Sequence, residues 1–283
     1  MDFIRSHQDG TPIGRIGVRD GGWTTPLPGI RVRGNVDLSH RLLAEAAIHV
    51  SDRTAVACDL TAAHMWSVTL PSGFGIDIDA QACAIATVRD GSRHRATGLR
   101  GRRLELPAAH LTTLDGVTIT TPARTWLDCA ALVSITDVVA MGDAILRSRL
   151  ATDRQLEEMV AWGRGRRGVR AARLGLPILD GDAESPGESW VRGLLVLADI
   201  PRPVCNLPVT IAGWTFRLDM AWKEKRVAVE YDGAEYHGPE HQARDEWRRG
   251  LLAAAGWTVI VVRKEDFAHF ERIIRAVRAA LIG

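Results

Sequence analysis

The last hundred residues carry the pattern that most restricts what this chain can fold into. A continuous apolar run of strand type, Trp257-Thr-Val-Ile-Val-Val262, follows Gly256, which ends a helix expected over 242–255 with Trp247, Leu251 and Ala255 in register. Ahead of it stand three strand candidates: Val209 to Ile211, Thr215 to Ala221 and Arg226 to Tyr231. Gly213 marks the first turn and Lys223-Glu-Lys225 the second. Ser185-Pro186 starts a helix reaching about Ala198, and Phe267, Phe270, Ile274 and Val277 define the last one. The order α-β-β-β-α-β-α predicts an α/β (α+β) fold, a mixed sheet with helices packed against it.

The first part reads differently. Residues 1–35, rich in Gly, Pro and Arg, predict loops with short extended pieces. Helical spacing begins with Leu38, Leu42, Leu43 and Ala46, and a second helix is expected at 61–66. Short alternating runs between 75 and 120, among them Gly75 to Asp79 and Val117 to Thr120, suggest a small β-rich unit. Helices then follow from Thr121-Pro122, over 136–149 and over 152–162. The stretch 175–182 is the best boundary, giving an N-terminal mixed α/β domain over 1–180 and a second domain over 181–283. Two domains are the natural expectation for 283 residues.

Charge speaks locally rather than in bulk, since the net is only +2. Arg89, Arg93, Arg95, Arg100, Arg102 and Arg103 crowd one segment; Arg164, Arg166, Arg167, Arg170 and Arg173 crowd another. Either cluster alone reads as a solvated surface. Beside a nucleic-acid-cutting core they read as phosphate grips. Cys58, Cys83, Cys129 and Cys205 are scattered with no Cys-x-x-Cys pair, as expected for reduced thiols in a cytoplasmic protein. The N-terminus has no apolar signal core, and no run approaches a membrane span.

The candidate chemistry is acidic. If the second and third C-terminal strands form an antiparallel pair, roughly symmetric about residue 224, Asp219 faces residue 229 or 230. Glu230 and Asp232, two apart, share a face. Singly, each acid reads as a strand-end residue paired with Arg217, Lys223 or Arg226. Together, three converging carboxylates repel one another and await a cation, and an all-oxygen set suits Mg²⁺ or Mn²⁺. His237, four residues past Gly233, is placed to orient or deprotonate water. Arg248, three after Asp245, is placed to steady the acids or a phosphate, and Glu188 offers a fourth carboxylate.

The string Leu218-Asp219 … Val229-Glu230-Tyr231-Asp232-Gly233-x-x-x-His237 … Asp245-x-x-Arg248 … Leu252 … Gly256-Trp257 resembles the DUF559 family over about residues 184–281. That family is related to the Vsr mismatch endonucleases of the PD-(D/E)xK superfamily. The resemblance implies a restriction-endonuclease-like core with Asp219 as main metal ligand and Glu230 as second acid. Asp232 stands where the superfamily pattern has Lys, which leaves the water-activating role to His237. The first part is similar to the AbiEi-like, type IV antitoxin-related proteins of actinobacteria. The matching residues are Ala55-Val-Ala57, Ala62-Ala63-x-x-Trp66 and Val117 through Asp128. The chain opens ahead of that region with about 35 Gly/Pro-rich residues, so a complete helix-turn-helix is not expected.

Two functions follow as expectations. One is a metal-dependent endonuclease cutting DNA in repair or phage defence. It uses Asp219, Glu230, Asp232, His237, Glu188 and Arg248, with Arg100, Arg102, Arg103, Arg164, Arg166, Arg167 and Arg170 on the nucleic acid. The other is an antitoxin-like DNA-binding regulator in which the nuclease fold survives as a scaffold. Expected partners are DNA and a toxin–antitoxin partner or a second copy of the chain, with no membrane.

Overall fold

The computed structural model describes residues 4–5, 23–27, 30–33, 42, 45, 48, 55–68, 83–88, 99–233 and 239–283. The fold is of mixed α/β class. The chain groups into two compact units, Met1–Val133 with Glu158–Val169, and Ser134–Glu157 with Arg170–Gly283. The sequence expects one boundary at 180/181; in the compact units, Ser134–Glu157 groups with the second and Glu158–Val169 with the first. The cause is visible in the second unit, where a helix at Ile135–Arg147 packs on the helix at Pro186–Leu197.

Among the described residues, the first unit holds two sheets. The smaller joins β1 (Ile4–Arg5), β2 (Trp23–Leu27) and β3 (Ile30–Arg33) in the order β1-β3-β2. The larger has the order β6-β5-β4-β8-β7, built from β4 (Ala55–Ala57), β5 (Cys83–Val88), β6 (Leu99–Leu104), β7 (Leu111–Leu114) and β8 (Val117–Thr120). It is mixed, because β5 runs parallel to β6 while β7 and β8 form a hairpin. Helix α1 (Asp59–Met65) follows β4, and α2 (Pro122–Cys129) starts at Thr121 with Pro122 in its first turn. Trp126 and Leu127 on α2 are fully buried, as its apolar spacing predicts. Gly75–Asp79, Arg89, Arg93 and Arg95 lie outside the described residues, as do Leu38, Leu43 and Ala46; Leu42 is helical and buried.

Helices α3 (Ile135–Arg147), α4 (Asp153–Trp162), α5 (Val169–Gly175) and α6 (Pro186–Leu197) follow. Of the second arginine cluster, Arg170 and Arg173 lie on α5. Ser134 caps α3: its hydroxyl accepts from the Asp137 amide, and Asp137 accepts from the Ser134 amide. A buried ion pair ties α3 to α6, where Arg192 donates to Asp143 and to the Ile178 carbonyl. Gly193, against Thr136 and Val139, lets the two helices approach.

The second unit's sheet has the order β12-β11-β10-β9, from β9 (Val204–Ile211), β10 (Trp214–Trp222), β11 (Val227–Asp232) and β12 (Thr258–Arg263). Strands β9, β10 and β11 are antiparallel neighbours, while β11 and β12 are parallel and joined through α7 (Pro239–Ala254). After Lys264–His269, a 3₁₀ turn, α8 (Glu271–Ile282) closes the fold. The expected element order holds, with β9 starting five residues earlier than expected, directly after Pro203.

Two apolar clusters cover the sheet. Val227 and Val229 join Val191, Leu195 and Val277 of α6 and α8, while Ala228 joins Leu252 of α7. Alternation along β11 therefore turns Glu230 toward the α7 side. On β10, Leu218 belongs to the α7 cluster and Met220 to the other, so alternation slips by one residue at Asp219. Opposite that slip β9 carries Asn206, whose φ of 49° is left-handed. Cys58, Cys129 and Cys205 are free buried thiols. Among the described residues, no helix is long and apolar enough to cross a membrane.

Candidate functional site

In the second unit the acids gather where α6, β10 and β11 meet. Ser185 caps α6 by accepting from the Glu188 amide at 3.2 Å, and the Glu188 carboxylate accepts from the Glu184 amide at 2.9 Å. This exchange fixes Glu188, 9% exposed, in the first turn. Next to it, Gly187 lies against the Tyr231 ring, where an added Cβ would stand 2.0 Å from Cε1. Only glycine lets α6 come this close to β11.

Asp219 accepts from the Tyr231 amide at 2.9 Å. Burial pushes its carboxyl up to about 7, and the nearby Glu188 and Glu230 add to the rise against the Tyr231 amide and Arg248. Glu230 is raised too, chiefly by burial, although Arg248 opposes this. Arg248 grips Glu230 in a fork of 2.6 and 2.9 Å and donates at 2.6 Å to the Arg217 carbonyl. Asp232 turns to Arg263, its neighbour on β12, at 3.4 Å.

The structure thus brings Asp219, Glu188, Glu230 and Arg248 together and commits Asp232 elsewhere. His237 lies outside the described residues. The partners weighed from sequence (Arg217, Lys223, Arg226) give way to Arg248 and Arg263, which reach the acids from α7 and β12. Among the described residues, no group of three or more His, Cys, Asp or Glu is arranged to hold a metal ion. With Glu230 held by Arg248 and Asp232 by Arg263, two of the three sequence-predicted metal ligands are already paired with cations.

In the first unit the two arginine clusters meet. A cleft of about 530 Å³ is lined by Arg102 and Arg103 of β6, Arg124 and Asp128 of α2, Glu105, and Arg166 and Arg167. Gly168 makes the convergence possible: with φ +83°, its missing Cβ would fall 2.6 Å from the Ala131 amide nitrogen at the end of α2. Arg124, 2% exposed, holds Asp128 through Nε at 3.0 Å and donates through Nη1 to the Glu105 carbonyl at 2.8 Å. Arg166 stacks 3.9 Å over Trp162 and bonds Glu105 at 2.8 Å. Arg102 stands 3.3 Å from buried Asp59. Burial pushes Asp128 up to about 6 against the pull of Arg124.

Of the sequence candidates, Arg102, Arg103, Arg166 and Arg167 line the cleft; Arg100, half-buried on β6, and the exposed Arg164 and Arg170 do not. The sequence reading passed over Arg124, Trp162 and His110, which stacks edge-on to Trp162 at 4.4 Å. Their available signal was a charged i, i+4 pair, Arg124 and Asp128, inside an apolar helix.

Residues 53–178 match the family model described as the AbiEi antitoxin C-terminal domain. Over 255 residues the chain is 34% identical to Uncharacterized protein MT2308 of Mycobacterium tuberculosis (strain CDC 1551 / Oshkosh), covering 89% of each chain. The same figures hold for Uncharacterized protein Rv2248 of strain ATCC 25618 / H37Rv. No solved structure matches the chain. The chain belongs to the family of these two mycobacterial proteins and carries an AbiEi-like region over residues 53–178.

Proposed function

We propose that this protein is a DNA-binding regulator of antitoxin type, whose second unit is a nuclease-like fold of the DUF559/Vsr kind retained as a scaffold. The observation that carries the reading is the AbiEi antitoxin match over 53–178, the region in which Arg102, Arg103, Arg124, Arg166 and Arg167 line one cleft. Guanidinium groups in such density suit phosphate oxygens, which supply most sequence-independent DNA affinity. The ion pairs at Glu230 and Asp232 support the scaffold reading, because each carboxylate already has its cation. A toxin partner follows from the antitoxin likeness.

The test is duplex binding by the full chain against salt, with Mg²⁺ present and an Asp219→Ala variant alongside. Five arginines on phosphates give a slope of log affinity on log salt near about −4.5. Binding with such a slope, unchanged in the variant and without cleavage, is the expected result. Absence of binding at low salt overturns the reading.

A second reading, a metal-dependent DNA endonuclease, is favoured by Asp219. A half-buried acid raised to about 7 beside two further carboxylates is the kind of group found at functional sites. Mg²⁺-dependent cleavage lost in Asp219→Ala would put this reading first.

A further inference from the structure

The cleft of the first unit has a composition that a general affinity for DNA does not explain. Five guanidinium groups against two carboxylates leave its lining with three positive charges. The lining, Gly101 through Glu105 with Arg124, Asp128, Ala131, Arg166 and Arg167, presents no aromatic face on which a base would stack. Its volume of about 530 Å³ is that of a small-ligand site.

The site is also built rather than merely charged. Arg124 is almost wholly buried, and Asp128 and the Glu105 carbonyl use its Nε and Nη1, leaving the two N–H donors of Nη2 outside these bonds. Arg166 is held flat by Trp162, an arrangement that keeps its in-plane donors directed. Asp128 and Glu105 position these two guanidinium groups, and Gly168 brings Arg166 and Arg167 up to α2.

We propose that this cleft is a phosphate-binding site that recognises the phosphate groups of its ligand and not a base, with Arg124 and Arg166 as its anchors and Arg103 and Arg167 at its exposed rim. The phosphates come from a free polyphosphate, such as a nucleotide, or from the backbone of nucleic acid. The inference deepens the DNA-binding reading and rests on it for the second source. Recognition by charge and in-plane N–H donors alone makes affinity depend on the number of phosphates and not on the base, so adenosine and guanosine triphosphates bind within about threefold of one another and pyrophosphate, one phosphate shorter, binds more weakly.

The experiment titrates the full chain calorimetrically, in chloride buffer, with sodium pyrophosphate, adenosine triphosphate, guanosine triphosphate and a short duplex. The same titrations are made on Arg103→Gln/Arg167→Gln. Both positions are exposed, so this variant keeps the fold, checked by an unchanged melting curve. One pyrophosphate per chain, weakened about tenfold or more in the variant, is expected for a free source. Duplex binding alone, weakened to the same degree, assigns the site to backbone phosphate. Pyrophosphate binding without duplex binding keeps the cleft and removes the DNA reading. Duplex binding equal in both proteins with no pyrophosphate binding keeps the DNA reading and overturns the cleft, as does the absence of any phosphate binding.

Discussion

Asp219 is the residue whose replacement says most about the second unit. Its carboxyl rises from an ordinary 3.8 to about 7, chiefly because β10 and β11 bury it, with Glu188 and Glu230 adding repulsion. At about 1.4 kcal/mol per unit, the whole rise corresponds to about 4 kcal/mol between the two protonation states. Asp219 keeps some contact with solvent, so about half of this, near 2 kcal/mol, is expected to appear in stability. The sign follows from proton counts. With the folded value above the unfolded one, the native state binds more protons between pH 4 and 7, and stability from this group falls as pH rises through that window. Asp219→Asn removes the charge and keeps an oxygen to accept from the Tyr231 amide. Urea unfolding at pH 8 should therefore show the variant more stable by about 2 kcal/mol, and at pH 4 nearly equal to the parent. Equal differences at both pH values, or a variant less stable at pH 8, would refute the argument that an ionised, poorly compensated acid stands there.

Other residues give sharper structural tests. Asp143→Ala strands Arg192 without a counter-charge in the core and should cost about 3–5 kcal/mol, whereas Asp143→Leu combined with Arg192→Met should cost much less than the sum of the singles in urea unfolding. Gly187→Ala drives a Cβ into the Tyr231 ring and should destabilise the second unit by about 1–3 kcal/mol, read by the same assay. Arg248→Ala leaves Glu230 without its fork and should raise its pKa further, visible as a steeper loss of stability from pH 5 to 8 than in the parent. Under the endonuclease reading alone, Mg²⁺ at a hundredfold excess over its dissociation constant raises parental stability by about 2.7 kcal/mol and leaves Asp219→Asn unmoved; a thermal melt with and without the ion decides this.

Much of the second unit was legible because periodicity and turn residues act locally. The run Trp257–Val262, Gly256 and the Ser185-Pro186 start report their elements without reference to anything distant. Symmetry about residue 224 likewise foretold the β10–β11 register, which pairs Met220 with Val229 and Trp222 with Val227. Of the acids' partners, Arg248 was legible as a residue placed to steady them, and Arg263 was not. Arg248 and Arg263 lie 18 and 31 residues beyond the acids they bind, and only the parallel placement of β12 and the packing of α7 bring them there. The slip at Asp219 was hidden too, since strict alternation places residues 218 and 220 on one face.

The amino-acid sequence by itself determined the mixed α/β class and the order of the second unit's elements. These depend on side-chain period, helix caps and turn chemistry, all written within a few neighbouring residues. The tertiary structure alone decided which charges neutralise which. It placed Arg248 on Glu230, turned Asp232 to Arg263, left Asp219 short of a cation, and drew two arginine clusters some sixty residues apart around Arg124. Electrostatic pairing is settled by distance and burial, and both are properties of the packed chain.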